Sequence, residues 1–170
     1  SLPLIGEGEV FFEGKKVHSS EVLKQFNWQP IVLQSKEGLA LLNGTQFSTA
    51  YGVWAVEQGR SILAWANAIA SLSWDAFLCQ PAPLDDRLHQ LRKQHGQVQV
   101  AFAIRQWLDK SPLQAQPRQG VQDPYAFRCV PQVHGASHDA WQYAQQVIER
   151  EVNAVTDNPT IFPEEGDILS

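Results

Sequence analysis

The chain has 170 residues, 44% of them hydrophobic, including 6 Trp and 8 Phe, enough to build a packed core and to exclude a disordered segment. Its 13 basic and 18 acidic residues give a net charge of -5 with no basic stripe, which excludes nucleic acid as a partner class. Cys79 and Cys129 stand far apart, outside any CxxC or Cys/His cluster, so neither a disulfide framework nor a zinc site is expected, and a reducing cytoplasm fits best.

In chain order, Ser1–Gly6 lacks the basic head and cleavage site of a signal peptide, and the run through Gly166–Ser170 carries apolar residues to the end. Together with the absence of Met, these ends read as those of a fragment, a single incomplete domain over 1–170. Val10-Phe11-Phe12-Glu13-Gly14-Lys15-Lys16-Val17 places a Glu-Gly turn between two β-favouring runs, which predicts a hairpin within 5–19. Gly6-Glu7-Gly8 is a loop and not a dinucleotide fingerprint, since Phe11 stands where a third glycine belongs.

Helices are expected across 36–110 and again across 124–155. Ser19 or Ser20 can cap a short helix ending at Phe26, and Ser35 another that carries Leu39, Leu41 and Leu42 and stops at Asn43-Gly44. From Thr45 to about Phe77 there is no Pro, and Val53, Val56, Ile62, Trp65, Ile69, Leu72 and Phe77 recur at roughly helical spacing. That pattern predicts one long, largely buried helix, with Gly52 and Gly59 compensated by close packing against a neighbour. The most apolar part, Ser61–Leu72, is too short and too polar to cross a bilayer. Asp85 caps a helix to about His95, and Gln97–Asp109 forms the next.

A loop is expected over 111–123, with Pro112, Pro117 and Gly120, followed by a helix start with Asp123 as N-cap and Pro124 at the first helical position. A further helix is expected from about Gly135 to Ala154, and a turn at Asp157-Asn158-Pro159 leads into an extended end over 156–170. The fold class is therefore mainly α: a helical bundle with long buried helices and a small β-hairpin near the N-terminus, part of a larger all-α fold.

Chemistry concentrates in Val121-Gln122-Asp123-Pro124-Tyr125-Ala126-Phe127-Arg128-Cys129. Tyr125 and Arg128 share one helix face, and the Arg fork together with first-turn N–H groups can hold a carboxylate. Spacing alone favours the plainer reading of Asp123 as a cap, a packed Tyr125 and Arg128 paired with a surface acid. His134 and His138 have the i, i+4 spacing of metal ligands but lack the Glu of the zinc-protease motif and a third ligand, so no metal is expected. Asn43-Gly44-Thr45 fits a glycosylation acceptor and is expected to stay unmodified.

Val121–Cys129, followed by Pro131-Gln132-Val133-His134-Gly135, resembles the signature of the aromatic amino-acid ammonia-lyases, the histidine-specific members in particular. Lys36–Gln46 and Glu151–Pro159 resemble further segments of that family in the same order, and Gly166–Ser170 resembles the start of a later one. The resemblance implies elimination of ammonia from an amino acid, giving urocanate from histidine, in a cytoplasmic homotetramer that uses no external cofactor. It also implies a methylidene-imidazolone electrophile cyclised from an Ala-Ser-Gly tripeptide, a sequence these residues do not contain. Carried onto matching positions, it makes Asn43 and Tyr125 the catalytic candidates, with Asn43 bonding near the electrophile and Tyr125 lining the pocket. Gln122 and Arg128 become the substrate-binding candidates, with Arg128 on the carboxylate. The isolated segment is expected to be inactive. A phenylalanine or tyrosine lyase or aminomutase of the same family, and a non-catalytic helical assembly module, stand as alternatives.

Overall fold

The computed structural model describes residues 1–117 and 120–170, and the chain divides into two compact units, Ser1–Ser48 with Ala154–Ser170 and Thr49–Asn153. In the first unit, β1 (Glu9–Phe12) and β2 (Lys15–His18) form an antiparallel hairpin that pairs Val10 with Val17. Its two-residue turn puts both Glu13 (φ 49) and Gly14 (φ 76) in the left-handed region, the conformation that matches the strand twist. Helix α1 (Ser19–Gln25) follows without a break. Its cap is not a serine: the His18 side chain accepts from the Ser20 N–H, while Ser19 turns inward and donates its hydroxyl to the Glu7 carbonyl at 2.7 Å. Phe26 closes the unit's small aromatic cluster, edge-on to Phe12 and stacked on Trp28.

Helix α2 (Glu37–Asn43) starts from Lys36, which takes the N-cap position expected of Ser35 with a left-handed backbone (φ 69) and no side-chain cap bond. The Lys36 ammonium pairs with Asp157 at 2.7 Å and also donates to the Pro159 carbonyl, which ties the start of α2 to the end of the chain. That end is not merely extended. β3 (Thr160–Phe162) and β4 (Asp167–Leu169) form a second antiparallel hairpin.

The second unit is organised around α5 (His95–Leu108) and α7 (Val130–Val152). They cross where Gly96 and Gly135 face each other: a Cβ on Gly96 would lie 2.2 Å from the Gly135 carbonyl oxygen, and one on Gly135 2.4 Å from the Gln97 nitrogen. Only two hydrogens allow that backbone approach. The core beside it consists of Trp74, Cys79, Leu84, Val100, Ile104 and Leu108, with Phe127 and Val130 packed against it. α7 begins at Val130, five positions ahead of the expected Gly135, because Pro131 suits the first turn of a helix.

Helix α3 spans Gln46–Ala76, as its spacing predicts, and the long burial expected of it is absent in this chain: only Ser71 and Trp74 are buried, while Trp54, Ile62, Trp65, Ile69 and Leu72 are exposed. Few elements here reach its apolar side, so periodicity is satisfied without cover. Its glycines do meet a neighbour. A Cβ on Gly52 would lie 2.7 Å from Ile148, and one on Gly59 2.8 Å from Trp141, whose indole N–H donates to the Val56 carbonyl at 2.8 Å. α4 (Asp86–Arg92) is capped by Asp85, as expected, through its bond from the Arg87 N–H. Of the loop expected over 111–123, Pro112–Ala115 form a 3₁₀ turn and Arg118 and Gln119 lie outside the described residues.

Candidate active site

The segment after that loop makes a smaller helix than its sequence promises. α6 is the single turn Tyr125–Arg128, capped by Pro124 without any side-chain bond. Asp123 does not cap it. Its carboxylate accepts instead from the backbone N–H of Gln80, in the segment that follows α3, at 2.6 Å. The N–H groups of Phe127 and Arg128 both bond to the Pro124 carbonyl, so little of a helix N-terminus remains for an anion. Any carboxylate binding here rests on the Arg128 side chain.

That side chain is well placed for it. Arg128 Nε donates to the Asp123 carbonyl at 3.0 Å, and its guanidinium lies 5.2 Å over the Tyr125 ring. Its two terminal nitrogens enter no hydrogen bond or ion pair among the described residues. Arg128 faces a cleft of about 420 Å³ whose lining includes Gln80, Pro83, Gln122, Tyr125, Cys129 and Gln132. The arrangement is a half-buried cation, fixed at one nitrogen and stacked on one face, presenting the remaining pair of donors in the planar fork that matches a carboxylate.

Ala82 and Pro83 also line the cleft, on a turn held by residues of α4 and α5. The 3₁₀ turn Ala82–Leu84 is gripped at Pro83, whose carbonyl accepts from buried His89 Nε2 at 3.1 Å, and at Leu84, whose carbonyl accepts from Arg105 at 2.6 Å. Because a carbonyl only accepts, the His89 proton sits on Nε2, and Nδ1 accepts from the Gln97 amide at 2.9 Å. Burial, the leading cause, holds the His89 pKa below its ordinary value, in keeping with this neutral tautomer.

Three of the four sequence candidates, Gln122, Tyr125 and Arg128, thus line one cleft. Asn43 is the last residue of α2, in the other unit, exposed, with no side-chain hydrogen bond among the described residues. Sequence reasoning missed Gln80, which lies 43 positions before its partner Asp123, a separation no local spacing rule spans. His134 bonds Asn67 on α3 through Nδ1 at 2.9 Å, a contact between helices.

Among curated proteins, histidine ammonia-lyase of Treponema denticola is 42% identical over 170 residues, and that of Pseudomonas fluorescens 43% over 173. Both alignments take in 100% of this chain and 34% of the relative, so the chain spans about a third of the length of the relatives it matches. Among solved structures, histidine ammonia-lyase from Trypanosoma cruzi superposes with a TM-score of 0.82 at 34% identity, covering 99% of this chain and 32% of that one. Tyrosine aminomutase from Streptomyces globisporus gives 0.81 at 29% identity, covering 99% and 36%. The profile that matches is "Aromatic amino acid lyase", and since it runs through residues 1–170, hairpins, helices and Arg128 cleft together, the chain belongs to the aromatic amino acid lyase family.

Proposed function

We propose that the full-length protein carrying these residues eliminates ammonia from L-histidine to give urocanate, and that Arg128 binds the substrate carboxylate. The observation that carries this reading is the open fork of Arg128, held at Nε and stacked on Tyr125 beside Gln122. An amino acid brings a permanent carboxylate to such a site, and a bidentate Arg contact fixes its direction as well as its place. Elimination breaks the bond between Cα and nitrogen and removes a weakly acidic proton from Cβ. Anchoring the carboxylate therefore helps to set the alignment of both bonds before proton transfer. Gln122 and Tyr125 contribute neutral polar groups along the same cleft, and the family resemblance assigns Asn43 a hydrogen bond near the electrophile.

In this family a methylidene-imidazolone supplies the electrophile for the amino group. Residues 1–170 fit that group only in part, since they include Asn43 but no Ala-Ser-Gly from which it forms. The assignment to histidine is supported by relatives of that name at 42 and 43% identity, and the absence of an external cofactor belongs to the family resemblance. Assembly as a homotetramer and a cytoplasmic location belong to the same reading through the family resemblance, while the exposed Trp54, Ile62, Trp65, Ile69 and Leu72 of α3 form a face for further elements or subunits to cover. A phenylalanine or tyrosine lyase or aminomutase is the competing reading, supported by the likeness to tyrosine aminomutase.

The test is the rise of urocanate absorbance when the full-length enzyme meets histidine, run beside phenylalanine and tyrosine. Product from histidine, with kcat/KM lowered about 100-fold in Arg128→Ala, is the expected result. Turnover of phenylalanine or tyrosine but not histidine would overturn the histidine assignment.

A further inference from the structure

Resting on that reading, we propose that Asp123 is a positioning residue for the carboxylate site, working as a latch between Gln80 and Arg128. Two bonds define the latch. The Asp123 carbonyl receives Arg128 Nε at 3.0 Å, and the Asp123 carboxylate receives the Gln80 backbone N–H at 2.6 Å. A third bond, from Gln80 Nε2 to the Val121 carbonyl at 3.4 Å, ties the same residue to the other side of Gln122.

Asp123 is the acidic side chain nearest in sequence to Arg128, and a carboxylate beside a guanidinium ordinarily forms an ion pair with it. Here it does not: Asp123 offers Arg128 its main-chain oxygen and turns its charge to Gln80. The consequence is twofold. Arg128 is aimed through Nε while its terminal donors stay available, and the anion that would otherwise compete with a substrate carboxylate is kept away from them. Gln80 follows the end of α3, where Leu78 takes a left-handed backbone (φ 57) and the Cys79 N–H bonds back to the Trp74 carbonyl at 3.0 Å. Trp74 is fully buried, so the latch is seated on the core of the unit and not on a free loop. Pro124 strengthens it by fixing its own φ immediately after Asp123.

The acceptor oxygen, not the negative charge, is what the Gln80 N–H needs. Asp123→Asn keeps that oxygen and Asp123→Ala removes it. The experiment measures inhibition of the full-length enzyme by urocanate, which carries a carboxylate, and by imidazole, which does not, alongside kcat and KM for histidine. In Asp123→Ala, urocanate inhibition and histidine KM are expected to weaken about tenfold, the worth of one hydrogen bond, with imidazole inhibition unchanged. Asp123→Asn should stay within about threefold of the parent on all of them. Placed on an Arg128→Ala background, Asp123→Ala should cost nothing further on urocanate, because a latch acting through Arg128 has nothing left to aim. Equal weakening of urocanate and imidazole, an Asn variant as impaired as the Ala variant, or full additivity with Arg128→Ala would each overturn the latch. Failure of the parent to turn over histidine would instead overturn the histidine reading.

Discussion

Helices α3 and α5 carry the same kind of apolar spacing and end in opposite circumstances. α5 buries Val100, Ala101, Ile104 and Leu108 within 14 residues, whereas α3 buries only Ser71 and Trp74 in 31. The difference lies in what crosses them. α5 is approached backbone to backbone by α7 at Gly96 and Gly135, while α3 meets α7 through the side chains of Ile148 and Trp141. Hydrophobic periodicity therefore identifies the face a helix turns away from water, and the neighbouring elements decide whether that face is covered.

The sharpest way to break this contrast is at the glycines. Gly135→Ala drives a Cβ to 2.4 Å from the Gln97 nitrogen, where backbone cannot yield cheaply, and should cost about 3 kcal/mol or more in a denaturant titration. A stability within about 0.5 kcal/mol of the parent would show that the crossing is loose. In the core, Ile104→Ala should cost about 3 kcal/mol, while Ile62→Ala, at a residue 66% exposed in this chain, should stay within about 0.5 kcal/mol. Repeating the Ile62 comparison in the full-length protein sharpens the point, since a cost rising toward that of Ile104 would mean that further elements cover α3. Gly59→Ala comes next, at about 1 kcal/mol, because the group it meets is the movable Trp141 ring, and the gain in helix propensity offsets part of the clash.

Two smaller effects concern the wall of the cleft. His89 is buried, its pKa lowered chiefly by burial and further by Arg105, with the Pro83 hydrogen bond, Asp86 and Asp85 acting in the opposite direction. Below the ordinary value of 6.5 the unfolded chain takes up a proton that folded His89 resists, so stability is full above that pH and falls on acidification. The decline should reach at most about 1.4 kcal/mol per pH unit from this residue. His134, also lowered by burial, adds in the same direction. Melting temperature followed from pH 7.5 to 5 should therefore drop less steeply in His89→Gln than in the parent, and parallel curves would remove His89 from the account. Asp85→Ala, which removes the half-buried cap of α4, should lower the melting temperature slightly, by more than Ile62→Ala does in this chain.

Much of the fold was legible because it depends on nearest neighbours along the chain. The Glu13-Gly14 turn, the Asp85 cap and the extent of α3 all follow from local rules. The misread caps share one cause, a group drawn off by something distant or unexpected: Ser19 by the Glu7 carbonyl, Asp123 by Gln80. The second hairpin escaped notice because its three-residue strands are too short for alternation to register. In the candidate site, Tyr125 and Arg128 were legible as a pair three residues apart, and family resemblance added Gln122 and Asn43. The latch on Gln80 was not, since 43 residues separate its partners.

By itself, then, the amino-acid sequence determined a mainly helical chain, the turn signals that divide it, and an arginine and tyrosine set one helical step apart within a lyase-like motif. Tertiary structure alone decided that Arg128 keeps its terminal donors open. Its Nε and the neighbouring carboxylate are both engaged elsewhere, one by a main-chain oxygen five residues back and the other by the end of a helix far away in sequence. Hydrogen-bonding capacity is a property of each residue; which partner uses it is settled only when the chain is packed and each buried or half-buried polar group must find one.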